Sequence, residues 1–150
     1  MKTDNSQMEA KKARLSTLWM FIMLNMAFAD IFSFMSPTFQ QEVTTGLANG
    51  TQITQGFLLV AAFVLEIPLA MVLLARVLKY EANRPANIVA GVVTIAFVIG
   101  GGSSTPHYIF FATIEVICAL FVIGYAWRWT QNEGQHSTIT FEQSKVGGHS

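Results

Sequence analysis

The chain has 150 residues, of which 52% are hydrophobic and only 12% charged, with a mean hydropathy of +0.45 and a formal net charge of zero. A soluble domain carries about 25% charged residues, so this composition excludes an ordinary soluble domain and points to an integral membrane protein of one small domain. No basic face exists beyond the flanks of the apolar runs, which excludes nucleic-acid binding. The single cysteine, Cys118, lies inside an apolar run, so no intrachain disulfide can form.

In chain order, residues 1–14 form a polar arm bearing Lys2, Lys11, Lys12 and Arg14, with helix expected from Met8 onward. The first apolar run, 15–35, is too long for a signal-peptide core of about 7–15 residues, and it reads as a retained spanning helix. It holds Trp19 and the polar residues Asn25, Asp30 and Ser33, and it ends at Ser36-Pro37 because the residue before a proline avoids the helical region. Residues 38–52 contain one charge, Glu42, and a turn signal at Asn49-Gly50.

The second run, 53–78, is long enough to span a bilayer, which takes about 20 apolar residues. It carries Glu66 near its middle and Pro68 two residues later. Pro68 cannot donate to the carbonyl of Val64, so a kink or an opened backbone site is expected there. The short basic connection 79–84 makes the second and third spans neighbours. The third span, 86–100, opens on Pro85 and presents Ala86, Ala90 and Gly91 as a small-residue face suited to close helix contact. Gly100-Gly101-Gly102-Ser103-Ser104 reads as a loop. The fourth span, 107–127, carries Glu115, Cys118 and Gly124 and ends on Trp127-Arg128-Trp129, an aromatic and basic anchor for a membrane interface. From Thr130 the chain is polar and is expected to be disordered.

Fold class and orientation follow: an all-α bundle of four transmembrane helices with both termini cytoplasmic. Lysine and arginine occupy the N-terminal arm, the connection between spans two and three (Arg76, Lys79, Arg84) and the C-terminal flank (Arg128, Lys145). The other two connections have none, so the alternation demanded by the positive-inside rule is complete.

Three carboxylates, Asp30, Glu66 and Glu115, fall inside spans, each at a cost of about 2.5–3.5 kcal/mol on insertion scales. At about 1.5 Å per residue, Asp30 lies roughly 9 Å and Glu115 roughly 12 Å from the outer end of its span, with Glu66 near the midplane. The three are therefore expected to share an acidic cavity in the outer half, with Asn25 as its floor. No lysine or arginine lies at that depth, and His107 sits at the outer mouth. Such a cavity suits a proton, a cation or a small amphipathic ligand, bound or transported. The alternatives are a lipid-modifying enzyme that uses two carboxylates as general acid and base, and an accessory subunit whose carboxyls tie helices together. Zinc spacing, a phosphate loop, a nucleophile motif and a spanning lysine are all absent from the sequence, so no metal and no cofactor is expected. Met20, Met23 and Met26 lie at helical spacing and read as a packing stripe. The expected surroundings are the lipid bilayer of a bacterial inner membrane, with a homo-oligomer resting on the small-residue face of the third span.

Leu18-Trp19, Asp30, Thr54-Gln55-Gly56, Pro68, Asn83-Arg84, Asn87, Tyr108-Ile109-Phe110, Glu115-Val116 and the Ala126-Trp127-Arg128-Trp129 ending form a combined pattern. Over residues 15–129 the chain thereby resembles an uncharacterised family of small bacterial four-helix integral membrane proteins. The resemblance implies four spans and leaves activity open. More distantly the layout is similar to DoxX-like and sterol-isomerase-like four-helix proteins, which place acidic residues and a helix-two proline around a membrane-embedded cavity. That likeness is architectural and transfers no function.

Overall fold

The structure is a computed structural model that describes residues 2–48 and 50–129. The polar tail expected from Thr130 lies outside the described residues. Five helices and one two-stranded hairpin follow in order: α1 (Lys2–Met35), α2 (Pro37–Thr44), β1 (Leu47–Ala48), β2 (Thr51–Gln52), α3 (Gln55–Val77), α4 (Tyr80–Gly100) and α5 (Pro106–Trp127). Four of them, α1, α3, α4 and α5, are long and apolar enough to cross a membrane. The protein is an all-α, four-span membrane protein.

The breaks between helices have local causes. Ser36 leaves the helical region (ψ 125°) ahead of Pro37, which ends α1 and starts α2. β1 and β2 form a tight antiparallel hairpin, with Gly46 just before β1 and Gly50 in the turn, both at positive φ (79° and 74°), where a side chain would be strained. Thr54 caps α3, accepting a hydrogen bond from the Phe57 amide at 3.1 Å. The helix of the third span begins at Tyr80, six positions ahead of the expected 86, so Pro85 lies inside α4 and does not open it. Only Leu78 and Lys79 separate α3 from α4.

The four long helices form a ring in the order α1, α3, α4, α5, each packed against its two neighbours. One end of the bundle carries the start of α1, the α3–α4 connection and the end of α5; this is the terminal end. The other, the hairpin end, carries α2, the β-hairpin and the loop from α4 to α5. The core runs through Leu15, Trp19, Ile22, Met71, Ala75, Ala90 and Val122, mostly toward the terminal end. Cys118 is half-buried against this core.

Packing is uneven. A third of the apolar stretch of α1 and of α4 is buried, but only 11% of that of α3. The buried residues of α3 are Pro68, Met71 and Ala75, so its first half has none. The small face of α4 meets α5 within the same chain. A Cβ added at Gly91 would stand 2.7 Å from Cγ1 of Ile123 and 3.6 Å from the Ala119 carbonyl oxygen. Gly91 is therefore taken up by the α4–α5 contact, with Ala90 buried beside it.

Candidate functional site: an acidic cavity at the hairpin end

Helical spacing puts Met26, Asp30 and Ser33 on one face of α1, and a seven-residue separation puts Tyr108 and Glu115 on one face of α5. These faces meet α4 residues Phe97 and Val98 around two adjoining cavities. The outer one, of about 410 Å³, lies at the hairpin end and is lined by residues that include Asp30, Phe34, Phe39, Glu42, His107 and Tyr108. The inner one, of about 190 Å³, is lined by Met26, Ala29, Asp30, Ala61, Leu65, Phe97, Val98, Tyr108 and Glu115. Asp30, Phe97 and Tyr108 border both, so these three side chains form the wall between vestibule and chamber.

Each wall residue is positioned differently. The Tyr108 hydroxyl donates to the Val98 carbonyl at 2.7 Å, which ties the start of α5 to the end of α4. Gly102 makes room for that ring, since a Cβ there would lie 3.1 Å from Tyr108 Cε1. Asp30 makes no hydrogen bond or ion pair among the described residues, and its side chain is exposed to the cavities. Glu115 is 4% exposed, and its Oε1 accepts from Asn25 Nδ2 at 3.0 Å. The same amide nitrogen donates to the Phe111 carbonyl at 3.0 Å. Asn25 thus fixes the Glu115 carboxyl with a donor that costs no charge. Among the described residues, no lysine or arginine lines either cavity, while three carboxylates do.

Of the residues expected to converge, Asp30 and Glu115 share the inner chamber, and Asn25 holds Glu115 from α1. Glu66 does not join them. At about 100° per residue, Glu66 lies roughly 200° around the helix from inward-facing Pro68, and its side chain is on the exposed face of α3. Leu65 and Ala61 line the chamber in its place. His107 lines the vestibule only. Glu42 and Tyr108 are cavity residues that the sequence reading did not assign. The signal for Glu42 was its standing as the one charge between spans one and two, and for Tyr108 it was the seven-residue interval to Glu115.

Chemically the cavity is a set of acceptors beside aromatic rings. Among the described residues, no three His, Cys, Asp or Glu side chains come together as a ligand set for a metal ion. A hard divalent ion takes six or more oxygen ligands. An ammonium group needs far less: one or two carboxylates for charge-assisted hydrogen bonds and an aromatic face for its quadrupole.

A second polar cluster lies toward the terminal end and has a different character. Trp19 Nε1 donates to Asn87 Oδ1 at 2.7 Å across the bundle centre. Asn87 Nδ2 donates to Asn83 Oδ1 at 2.6 Å, and Asn83 Nδ2 donates to the Ala75 carbonyl at 2.7 Å. Ala75 is among the last four residues of α3, whose carbonyls have no partner within their own helix. Ser16 donates to the Val72 carbonyl at 2.8 Å and accepts from Arg76 Nε at 3.1 Å. Near this end Tyr80 donates to the Trp129 carbonyl at 2.6 Å and stacks edge-on against its ring. Trp129 is buried, and Trp127 is the exposed aromatic of that pair.

No curated protein sequence and no solved structure matches the chain. A family model does, over residues 1–136, nearly the whole length. With its four spans and its cavity in view, the chain belongs to the family described as "Family of unknown function (DUF6326)".

Proposed function

We propose that the protein is a membrane-embedded binding protein that takes a small amphipathic cation, bearing an amine or quaternary ammonium group, from the hairpin side. The observation that carries the reading is that Asp30 and Glu115 line one chamber with no lysine or arginine on its walls among the described residues. The ligand's charged group pairs with Asp30, which has no partner of its own, and its apolar part lies along Phe97, Leu65 and Met26. Glu115, already held by Asn25, supplies the second charge at the chamber floor. The alternation of lysine and arginine supports cytoplasmic termini in a bacterial inner membrane, so the ligand enters from the outer side. Transport extends this reading if the chamber opens in turn to the other side. Functional copies assemble as a homo-oligomer.

The test is direct titration of purified full-length protein with a tetraphenylphosphonium salt and with a long-chain primary amine. Saturable binding to the wild type, weakened at least tenfold by Asp30→Asn, is expected. Saturable binding that Asp30→Asn and Glu115→Gln leave unchanged would overturn the proposal, as would the absence of binding. A second reading, an enzyme acting on lipid with Asp30 and Glu115 as acid and base, draws on one feature. The chamber is bounded on the α3 side by the apolar residues Ala61 and Leu65, which offer an acyl chain a wall to lie against. Turnover of a lipid substrate lost in either carboxylate variant is the result that favours it.

A further inference from the structure

Tyr108 stands where three spaces meet. It borders the vestibule and the chamber. It also lines a groove of about 560 Å³ between α4 and α5, together with Val98, Ile99, Gly102, Ala112 and Val116. Among the described residues it alone lines all three. Its ring is held lightly. The hydroxyl makes one hydrogen bond among the described residues, to the Val98 carbonyl at 2.7 Å. A single neutral hydrogen bond at the edge of a cavity is a modest tie. Tyr108 is also only the third residue of α5. Inside a helix the preceding turn forbids one of the three side-chain rotamers. No helical turn precedes Tyr108, so its ring has a choice of direction. Phe97, its neighbour in the wall, has neither freedom: it follows several turns of α4, and it does not line the groove.

We propose that Tyr108 is the gate of the chamber. With its hydroxyl on the Val98 carbonyl, the ring closes the passage from the vestibule to Glu115. Turned into the α4–α5 groove, it leaves that passage open. Asp30 borders both cavities and meets an entering cation in either state, whereas Glu115 lines the chamber and not the vestibule and is reached only with the gate open. The ring face is itself a favourable surface for an ammonium group in passage. Gly102 belongs to the same device. A Cβ there would lie 3.1 Å from Tyr108 Cε1 and 3.3 Å from the Val98 carbonyl oxygen, so the absent side chain is what lets the ring seat on its latch. The proposal deepens the reading above by naming what controls access to its site. It rests on that reading for the ligand and not for the passage.

The test measures access directly. Full-length protein in lipid nanodiscs carries one reporter thiol in a Cys118→Ser background: Ala29→Cys, at a position that lines the chamber and not the vestibule, or Thr38→Cys, for which the reverse holds. The probe is aminoethyl methanethiosulfonate, a small cationic thiol reagent, and the readout is the rate of modification. Ala29→Cys is expected to react at least tenfold more slowly than Thr38→Cys. Adding Tyr108→Phe, which removes the latch and keeps the ring, is expected to speed the Ala29→Cys reaction at least threefold, with helix content unchanged by circular dichroism. Adding Ala112→Leu, which fills the groove one helical turn from Tyr108, is expected to slow it at least threefold, a change that a loosened fold does not produce. Thr38→Cys is expected to be unaffected by both. Equal rates at the two reporters, or an Ala29→Cys rate that neither Tyr108→Phe nor Ala112→Leu changes, would overturn the gate. Amine titration of the same samples reports separately on binding, so failure of one reading is distinguishable from failure of the other.

Discussion

The two halves of the bundle handle buried polarity in opposite ways. Toward the terminal end, indole, amide, hydroxyl and guanidinium groups form a closed set: Trp19 to Asn87 to Asn83 to the Ala75 carbonyl, with Ser16 and Arg76 beside them. Each of these side chains makes at least one hydrogen bond, and the groups join α1, α3 and α4 near the point where α3 ends. Toward the hairpin end the polar groups surround space. Among the described residues Asp30 has no partner and Glu115 has one neutral donor, and a cavity of about 190 Å³ lies beside them and the apolar wall of α3. A satisfied polar network rigidifies and fixes one arrangement, whereas unpaired polar groups around a cavity are available to a ligand. The difference teaches that intramembrane polar residues are not equivalent evidence for function. The terminal set has already met its needs inside the chain; the hairpin set has not.

The comparison predicts a gradient of effects on stability and a reversed gradient on binding. The sharpest way to break it is Asn87→Leu, which strands the Trp19 indole N–H and the Asn83 side chain in the core. Leaving buried groups unpaired costs about 1–3 kcal/mol each, so a loss of about 2–4 kcal/mol is expected on that basis, read as a large drop in the unfolding midpoint in mild detergent. A midpoint equal to the wild type would remove the structural role of the terminal cluster.

Gly91→Ala comes next. Its new methyl meets Ile123 at 2.7 Å, and overpacking of this kind costs about 1–3 kcal/mol. Ile123→Ala in the same chain is expected to recover part of that, measured as a non-additive double-mutant cycle. Additive losses would show that the α4–α5 approach is looser than the structure has it.

Thr94→Val probes the space between the two halves. The Thr94 hydroxyl is buried with no hydrogen-bond partner among the described residues. Replacing an unpaired hydroxyl by a methyl of similar shape is expected to be neutral or to stabilise by up to about 1 kcal/mol. A clear destabilisation would show that the hydroxyl has a partner in solution.

The smallest stability effect is expected for Asp30→Asn, within about 0.5 kcal/mol, since no interaction within the chain is lost. The same variant is expected to have the largest effect on amine binding. If Asp30→Asn unfolds the protein as readily as Asn87→Leu does, the two halves are alike and the cavity reading loses its basis.

Much of this was legible in the sequence. Apolar runs mark all four spans, although the third was expected over 86–100 and its helix starts at Tyr80; Pro37 marks the end of the first, and the positions of Asp30 and Glu115 along their spans place both toward one end of the bundle. Asn25 was expected as the floor of the cavity; in the structure its side-chain amide holds the Glu115 carboxyl from α1. Rotation was not legible. Around a soluble helix, polar residues mark the outer face; around these helices the outer face meets lipid and is as apolar as the inner one, so hydropathy has no angular signal. That is why Glu66 was expected with Asp30 and Glu115 although the packing of Pro68, Met71 and Ala75 turns it outward. The terminal cluster was hidden for a related reason. Asn83 and Asn87 share one face of α4 at a four-residue spacing, but Trp19 lies 68 positions from Asn87, and nothing local says that an indole on α1 reaches an amide on α4.

The sequence by itself therefore determined that four helices are apolar and long enough to cross a bilayer, because that depends on transfer free energy along the chain axis. Only the tertiary structure decided which polar groups meet, since that depends on helix rotation, set by contacts as specific as Gly91 against Ile123 and Tyr108 beneath Gly102. The closed cluster at one end, the open acidic chamber at the other and the outward-facing Glu66 are consequences of that packing.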